Sequence, residues 1–460
     1  MEQYHDDSIL DPPEPEGLRQ KKTGRVRWIV PVLLLLMLAA AAVLLWPKEP
    51  APMADDQDPA PAWETNYLMA GERIALEGST TEEHIENAAK HPVLGSKLTR
   101  DQIRSVTFLD TLEEIPSSAW DVSAVGNGSV MAWTKLNDGL YDLYIAAESG
   151  INGGSACAYL FAGYKNMEFI DFGASFHTDG STDMAGMFMG CRSLKELDLG
   201  CFDTVKVTDF GYMFYGCMSL EVLNMEAFDT TAATSMYAMF TFCSSLEELD
   251  IRHFSTANVT NMGSMFRECR ALKQLRWDET LFDTGAVTQM HYMFAACEGL
   301  EELPVSFFRT DRVTTMGAMF YACKGLDTLD ISSWDTGKVE DMSIMFADCT
   351  GLTKLTLGKI NTSNVKQMSY MFRLCTSLTR LDVSGLDTAA VENMDSMFRD
   401  CTALQELNLG RMDTGSVTNM NAMFLNTPGV TPEDVAFFNT EKVVKHDFFM
   451  NGTGWESLFG

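Results

Sequence analysis

The chain has 460 residues, of which 64 are acidic and 34 are basic, so its formal net charge is −30 at pH 7. A polyanion of this size is repelled by nucleic acid and by anionic lipid, which excludes both as ligands of the folded part. Basic proteins and divalent cations remain as possible partners. The length alone would allow two or three ordinary domains.

The first 63 residues predict a tail, a membrane anchor and a spacer. Residues 1–27 are polar and end in a basic cluster, which is typical of a cytoplasmic tail without fixed structure. Residues 28–46 carry no charge over 19 positions, a length that suits a bilayer. This apolar run is longer than that of a cleaved signal peptide, so we predict an uncleaved signal anchor with residue 47 onward outside the cell. Residues 47–63 are a Pro/Ala/Asp linker.

Residues 64–176 predict a degenerate N-terminal cap for the repeats that follow. A helix is expected at Thr81–Lys90, and Ile103 begins an apolar spacing that predicts a first ladder strand. Residues 130–146 predict a hairpin, because the sequence Asn-Asp-Gly at their centre is a strong turn signal. The alternative is an independent binding domain.

Residues 177–440 consist of a repeated unit, and the copy that begins at Thr362 shows its pattern. Apolar or small residues lie at offsets 0, 3, 6, 7 and 10 from Val365, within about 120° of a helical wheel. We therefore predict a short helix that Thr362 opens as its N-cap. Leu381 and Val383 then alternate with polar residues, which predicts a half-buried strand.

The Met-Phe pair of this unit recurs every 26 residues, except for a step of 28 between Met265 and Met293. The two extra residues lie in the turn after a strand, near Trp277. Each unit is too small to bury its own apolar face, so stacked units must bury one another's faces. The sequence predicts an α/β solenoid, a leucine-rich-repeat horseshoe with a parallel β-ladder on the concave side and helices on the convex side. Residues 441–460 predict a C-terminal cap.

The combined pattern is L-x-x-L-x-L followed by x-x-F-D-T-x-x-V-x-x-M-x-x-M-F-x-x-C, and residues 194–217 and 378–401 match it closely. It resembles the BspA-like leucine-rich-repeat surface proteins of bacteria over roughly residues 100–440. The resemblance implies a surface-exposed ectodomain, with adhesion to host matrix proteins or other cells in some members. It supplies no catalytic residues.

Nine of the eleven cysteines occupy one slot of the repeat, three residues after the Phe. In an exported protein such a series suggests disulfides. Because the slot lies on the buried face of the predicted helix, we interpret the cysteines as small apolar fillers, which helix spacing keeps beyond the ~7 Å limit for bridging. The absence of C-x-x-C argues against zinc.

The outward strand positions predict an acidic binding surface on the concave face, with a solvated polar face as the alternative. The candidate residues are Glu196, Asp198, Glu248, Asp250, Glu302, Asp330, Arg380, Asp382 and Glu406. No catalytic, cofactor or metal motif occurs, so we expect a non-enzymatic surface protein that binds other proteins, an adhesin. The alternatives are an envelope enzyme with its site in residues 64–176 and a structural or sensor ectodomain.

Overall fold

The computed structural model describes residues 66–68, 81–452 and 455–459. All of them belong to one compact unit, Ala62–Gly460. The predicted tail, membrane anchor and linker lie outside the described residues. Where the chain is described, no helix combines the length and the apolar character that crossing a bilayer requires.

The described chain contains one α-helix, short strands and three short 3-10 helices. The helix is α1 (Thr81–Lys90), and the 3-10 helices are Arg100–Gln102, Pro432–Val435 and Glu456–Phe459. In chain order, the strands are β1 (Ile103–Leu109), β2 (Trp120–Asp121), β3 (Met131–Asn137), β4 (Leu140–Ala146), β5 (Ile151–Asn152), β6 (Phe169–Asp171), β7 (Phe176–His177), β8 (Glu196–Asp198), β9 (Val222–Asn224), β10 (Glu248–Asp250), β11 (Gln274–Arg276), β12 (Thr328–Asp330), β13 (Lys354–Thr356), β14 (Arg380–Asp382) and β15 (Glu406–Asn408).

A five-stranded sheet precedes the repeats, with the strand order β2-β3-β4-β1-β6. The predicted helix and hairpin are present, since α1 spans Thr81–Lys90 and β3 pairs antiparallel with β4. The first predicted ladder strand, β1, pairs parallel with β6. Val106 and Phe108 of β1 belong to the same hydrophobic core as the repeats, so the sheet and the array pack as one continuous interior.

In the repeats, the predicted strands are parallel and in register. They form four pairs, β8–β9, β10–β11, β12–β13 and β14–β15, rather than an unbroken ladder. In β8, β12 and β14 the middle residue is buried and its two neighbours are exposed, as Leu381 is between Arg380 and Asp382. No strand forms around Glu302, in the coil after the 28-residue step. We call the surface made by these outward positions the strand face.

The opposite side of each coil, which the sequence predicts to be a short helix, is a run of β-turns. The Ile344 and Phe346 N–H groups donate to the carbonyls of Ser369 and Met371 in the next coil, at 2.8 and 2.9 Å. The N–H of Ala347, the residue after Phe346, donates to the Ile344 carbonyl within the coil, at 3.0 Å. A helix would keep all of these bonds inside one segment. The helix prediction is therefore wrong, and we call this side the turn face.

Backbone conformation shows why no helix forms on the turn face. Ile344 and Asp348, which flank the Met-Phe pair, have φ values of 61° and 59°. A right-handed helix requires negative φ, so two left-handed residues four apart interrupt it. The same pair of positions has positive φ in each coil from Gly186 and Gly190 to Ala422 and Asn426. The glycines at these positions in early coils were the sequence signal for a turn.

The spacing between coils on the turn face is also too small for helices. Phenylalanines of adjacent coils stack from Phe188 to Phe424, with ring centroids 5.4–5.9 Å apart. Packed helices need axes about 8–10 Å apart. This ring spacing is only slightly larger than the ~4.8 Å that separates paired strands. The predicted horseshoe curvature, which depended on wide helices, therefore loses its basis.

The threonine that the sequence predicts as a helix cap instead joins neighbouring coils. The Thr204 hydroxyl donates to the carbonyl oxygen of Asp229 at 2.8 Å and accepts the Asp229 N–H at 2.8 Å. The same donation recurs in each coil from Thr178 to Thr414. These side chains are almost fully buried, so their hydroxyls satisfy backbone groups that would otherwise be unpaired in the core.

The cysteine series consists of free, buried thiols. The Cys375 thiol donates to the carbonyl oxygen of Phe346 in the preceding coil at 3.1 Å, and all nine thiols make this contact at 3.0–3.3 Å. In the last such slot Thr427 replaces the cysteine, and its hydroxyl donates to the carbonyl oxygen of Phe398. Burial raises the pKa of Cys217 and of Cys349 to about 12. The interpretation of these cysteines as small buried fillers is confirmed. Helix spacing does not explain why they are unbridged, because no helix forms on the turn face.

We expect a thiol-alkylating reagent to modify Cys201 alone in the native protein, because it is the exposed cysteine of the eleven. In urea, all eleven should react. Intact-mass measurement after alkylation, with and without urea, counts the modified thiols. Rapid native labelling at any position of the buried series would contradict the described core.

Candidate functional site: the strand face

The structure places eight of the nine predicted residues together on outward strand positions. Glu196 and Asp198 lie on β8, Glu248 and Asp250 on β10, Asp330 on β12, Arg380 and Asp382 on β14, and Glu406 on β15. Glu302 lies outside any strand but is exposed in the corresponding position of its coil. Their outward placement agrees with the prediction, whereas their role in binding stays a prediction and the predicted concavity has no support.

The aspartates at the strand ends accept hydrogen bonds from the turns that follow the strands. The Asp382 carboxylate accepts the Ser384 N–H at 2.9 Å and the Ser384 hydroxyl at 2.6 Å. These hydrogen bonds hold the pKa of Asp382 below its ordinary value. Asp198 and Asp330 likewise accept the N–H two residues further on, at 3.0 and 2.9 Å. A ligand would compete with the fold for these oxygens.

Asp250 accepts the N–H two residues further on as well, from Arg252 at 3.1 Å, and also forms an ion pair. The Arg252 guanidinium donates to both of its carboxylate oxygens, at 2.6–3.1 Å, and holds the pKa of Asp250 below its usual range. The Arg252 side chain is largely exposed, so this pair contributes little to stability. Sequence reasoning missed Arg252 because it follows the strand rather than lying within it.

The glutamates at the first strand positions are more available to a partner. Glu248 lies 3.2 Å from Arg276, and Glu406 lies 2.9 Å from Arg380, both as exposed cross-strand ion pairs. Pairs of this kind exchange readily with solvent and with other charges. The row of glutamates is thus the part of the strand face that a basic ligand could engage with little cost to the fold.

Sequence reasoning missed two apolar residues on the same face. Phe169 of β6 and Val222 of β9 occupy first strand positions and are 52% and 56% exposed. Their signal in the sequence was an apolar residue at a position that the alternation assigns to solvent.

No group of three or more His, Cys, Asp or Glu side chains is arranged to hold a metal ion within residues 66–68, 81–452 and 455–459. Six of the strand-face carboxylates have partners: Asp198, Asp250, Asp330 and Asp382 accept hydrogen bonds, and Glu248 and Glu406 form ion pairs.

Three stretches, residues 182–280, 275–356 and 353–455, match the family described as "Mycoplasma protein of unknown function, DUF285". Together they span well over half of the chain. The chain belongs to this family. The DUF285 match covers the coils from β8 to the C-terminal end, so the family unit corresponds to the stacked coils described above.

Other comparisons add little to the DUF285 match. No curated protein matches the chain. The crystal structure of a TLR13–ssRNA13 complex is similar over 59% of this chain and 43% of that chain, with 14% identity and a TM-score of 0.24. The matched part thus spans less than half of that protein, and the TM-score is too low to support an argument about fold or ligand.

Proposed function

We propose that this DUF285 protein is a membrane-anchored, BspA-like cell-surface protein that binds other proteins through the strand face and acts as an adhesin. The observation that carries the proposal is the row of exposed glutamates at the first strand positions, Glu196, Glu248 and Glu406, with Glu302 in the matching position. Stacked repeats present such a row as one extended surface, which suits an extended partner.

Charge favours a basic protein ligand, such as a host matrix protein, over nucleic acid. The net charge of −30 raises the local concentration of cationic partners and repels phosphate backbones. The strand-face side chains are solvated rather than gathered around a reacting centre, which supports binding rather than catalysis.

The proposed topology places residues 28–46 in the cell membrane, the N-terminus in the cytoplasm and the repeats outside. Proteolysis of intact cells tests it directly, because residues 64–460 should be cleaved at the surface while an epitope within residues 1–27 is protected. Protection of the repeats from protease in intact cells would contradict the proposed topology.

Reversing the charge of the four glutamates should weaken attachment to immobilised basic matrix proteins at least tenfold. We expect this because each Glu→Lys change at Glu196, Glu248, Glu302 and Glu406 replaces attraction with repulsion while sparing the turn aspartates. Attachment of cells carrying the quadruple variant is the measurement.

The matched control reverses four exposed carboxylates outside the strands, Glu279, Asp311, Glu392 and Glu441. This control variant has the same net charge as the test variant. It therefore shows how much attachment changes from net charge alone, without any change on the strand face. Equal attachment by both variants would mean that binding does not depend on the strand face.

A further inference from the structure

A groove lies on the strand face where the strands of the repeats end. Within the part of the chain that the structure describes, β15 pairs with β14 and with no other strand. The coil after β15 forms the 3-10 helix Pro432–Val435 in place of a strand. Residues of β13, β14 and β15 line a groove of about 930 Å³ together with Val430 and Asp434 of that coil. We call it the end groove.

The sequence of this coil explains why no strand follows β15. Pro432 lies 26 residues after Glu406, so it occupies the first strand position of its coil. The Glu406 N–H donates to the Thr379 carbonyl at 3.2 Å, but proline has no N–H with which to repeat that bond. The Asp434 carboxylate accepts the N–H and the hydroxyl of Thr431, both at 2.8 Å, and these bonds hold the turn. The coil therefore cannot extend along β15.

The outer edge of β15 presents backbone groups to the end groove. Glu406 donates its N–H toward the β14 side, and the Asn408 carbonyl accepts the Val383 N–H from the same side at 3.0 Å. Neighbouring residues of a strand direct their backbone groups to opposite sides. The N–H and C=O of Leu407 therefore face away from β14, and Leu407 lines the end groove. The next coil offers no strand to pair with them.

The charges nearest to this edge are negative. The charged residues that line the end groove are Lys354, Arg380, Asp382, Glu406 and Asp434, and Glu433 lies exposed beside them. Both cations belong to β13 and β14, on the far side of β15 from the edge. Asp382 and Asp434 already accept hydrogen bonds from turns, whereas Glu406 makes an exposed ion pair with Arg380 at 2.9 Å. A chain lying along the edge would thus place a basic side chain best beside Glu406.

We propose that an extended segment of the partner protein adds to β15 as a further β-strand in the end groove, with a basic side chain beside Glu406. This inference rests on the proposed function and names how the partner is bound. Hydrogen bonds from the segment's backbone to Leu407 give affinity for an extended chain, and the cross-strand pair with Glu406 gives the preference for a basic one. A helical segment is excluded, because its own N–H and C=O groups bond within the helix.

The test measures binding of dye-labelled peptides to the full chain by fluorescence anisotropy. The probes are an alternating Thr-Lys peptide, the same peptide N-methylated on its Thr residues or on its Lys residues, an alternating Thr-Glu peptide and a helical Ala-Lys peptide. Only alternate residues of an added strand bond to its neighbour. One N-methylated peptide should therefore bind at least tenfold more weakly than the unmethylated peptide, while the other binds within threefold of it. The Thr-Glu and helical peptides should also bind at least tenfold more weakly.

The variant Leu407→Pro removes the N–H that faces the end groove. Proline is tolerated in an edge strand where the N–H points away from the sheet, so the variant should fold. It should bind the Thr-Lys peptide at least tenfold more weakly than the original chain. Leu407→Ala is the matched control, because it loses the same side chain but keeps the N–H, and it should bind within threefold of the original chain. Circular dichroism checks that both variants are folded, and if Leu407→Pro is not, the N-methylated peptides decide.

Equal binding of the three Thr-Lys peptides, equal binding by the two folded variants, or preference for the helical peptide would overturn strand addition. Equal binding of the Thr-Lys and Thr-Glu peptides would overturn the role of Glu406. The proposed function is judged separately, by attachment of cells that carry the quadruple glutamate variant. If that attachment falls while the peptide results are negative, the strand addition fails and the proposed function stands.

Discussion

Met319→Asp should lower the free energy of unfolding by on the order of 4 kcal/mol or more. Met319 has no exposed surface and lies in the continuous core, with Phe320 stacked between neighbouring rings. The substitution forfeits ~1.5–3 kcal/mol of apolar burial and introduces a carboxylate that has no partner in the core. Urea denaturation followed by circular dichroism measures the loss.

Met319→Leu is the control, since it conserves apolar volume and should cost less than about 1.5 kcal/mol. A loss below about 1 kcal/mol for the aspartate variant would mean that the slot faces water. Because each coil packs only on its neighbours, the damage should spread along the array from this coil.

Gly163→Ala should destabilise the packing of α1 on the turn face by on the order of 3 kcal/mol. A Cβ at Gly163 would lie 2.5 Å from the Ala88 carbonyl carbon and 2.5 Å from the Ala89 nitrogen, which are backbone atoms of α1. The residue also has a φ of +76°. The helix cannot yield locally, because Ile85 and Ala88 pack on Ala162.

Urea denaturation gives the total loss, and hydrogen exchange over residues 81–90 shows whether α1 is released. Gly154→Ala is the matched control, because Gly154 has a φ of +77° but no atom within 4 Å of an added Cβ. It should show only the cost of a left-handed residue, about 1–2 kcal/mol. Equal losses for both variants would show that contact with α1 contributes nothing.

The prediction of helices failed for a specific reason. Apolar residues at offsets 3, 6, 7 and 10 fit one face of a helix, but they fit a stack of β-turns equally well. Ile344 and Phe346 donate their N–H groups to another coil, and no local pattern states where a hydrogen bond ends. An unbroken series of parallel β-bridges between successive coils runs from Ala156 to Lys445. It lies on the turn face, where the sequence predicted helices.

In the candidate site, too, local sequence predicts some features and the fold decides the others. Alternation within Leu381–Val383 was enough to predict that Arg380 and Asp382 face outward, and the structure confirms it. The role of Asp382 as a turn acceptor depends on the position of Ser384 in space. The placement of Val222 beside Glu196 depends on the register of β8 and β9.

The sequence by itself determined the repeat period, the buried slots and the strand positions, because each of these is a local pattern that recurs in every copy. Only the tertiary structure decided that the backbone on the turn face bonds between coils, because the left-handed residues and the 5.4–5.9 Å ring spacing arise from stacking. It also decided which exposed residues become neighbours, since that depends on register between coils and not on distance along the chain.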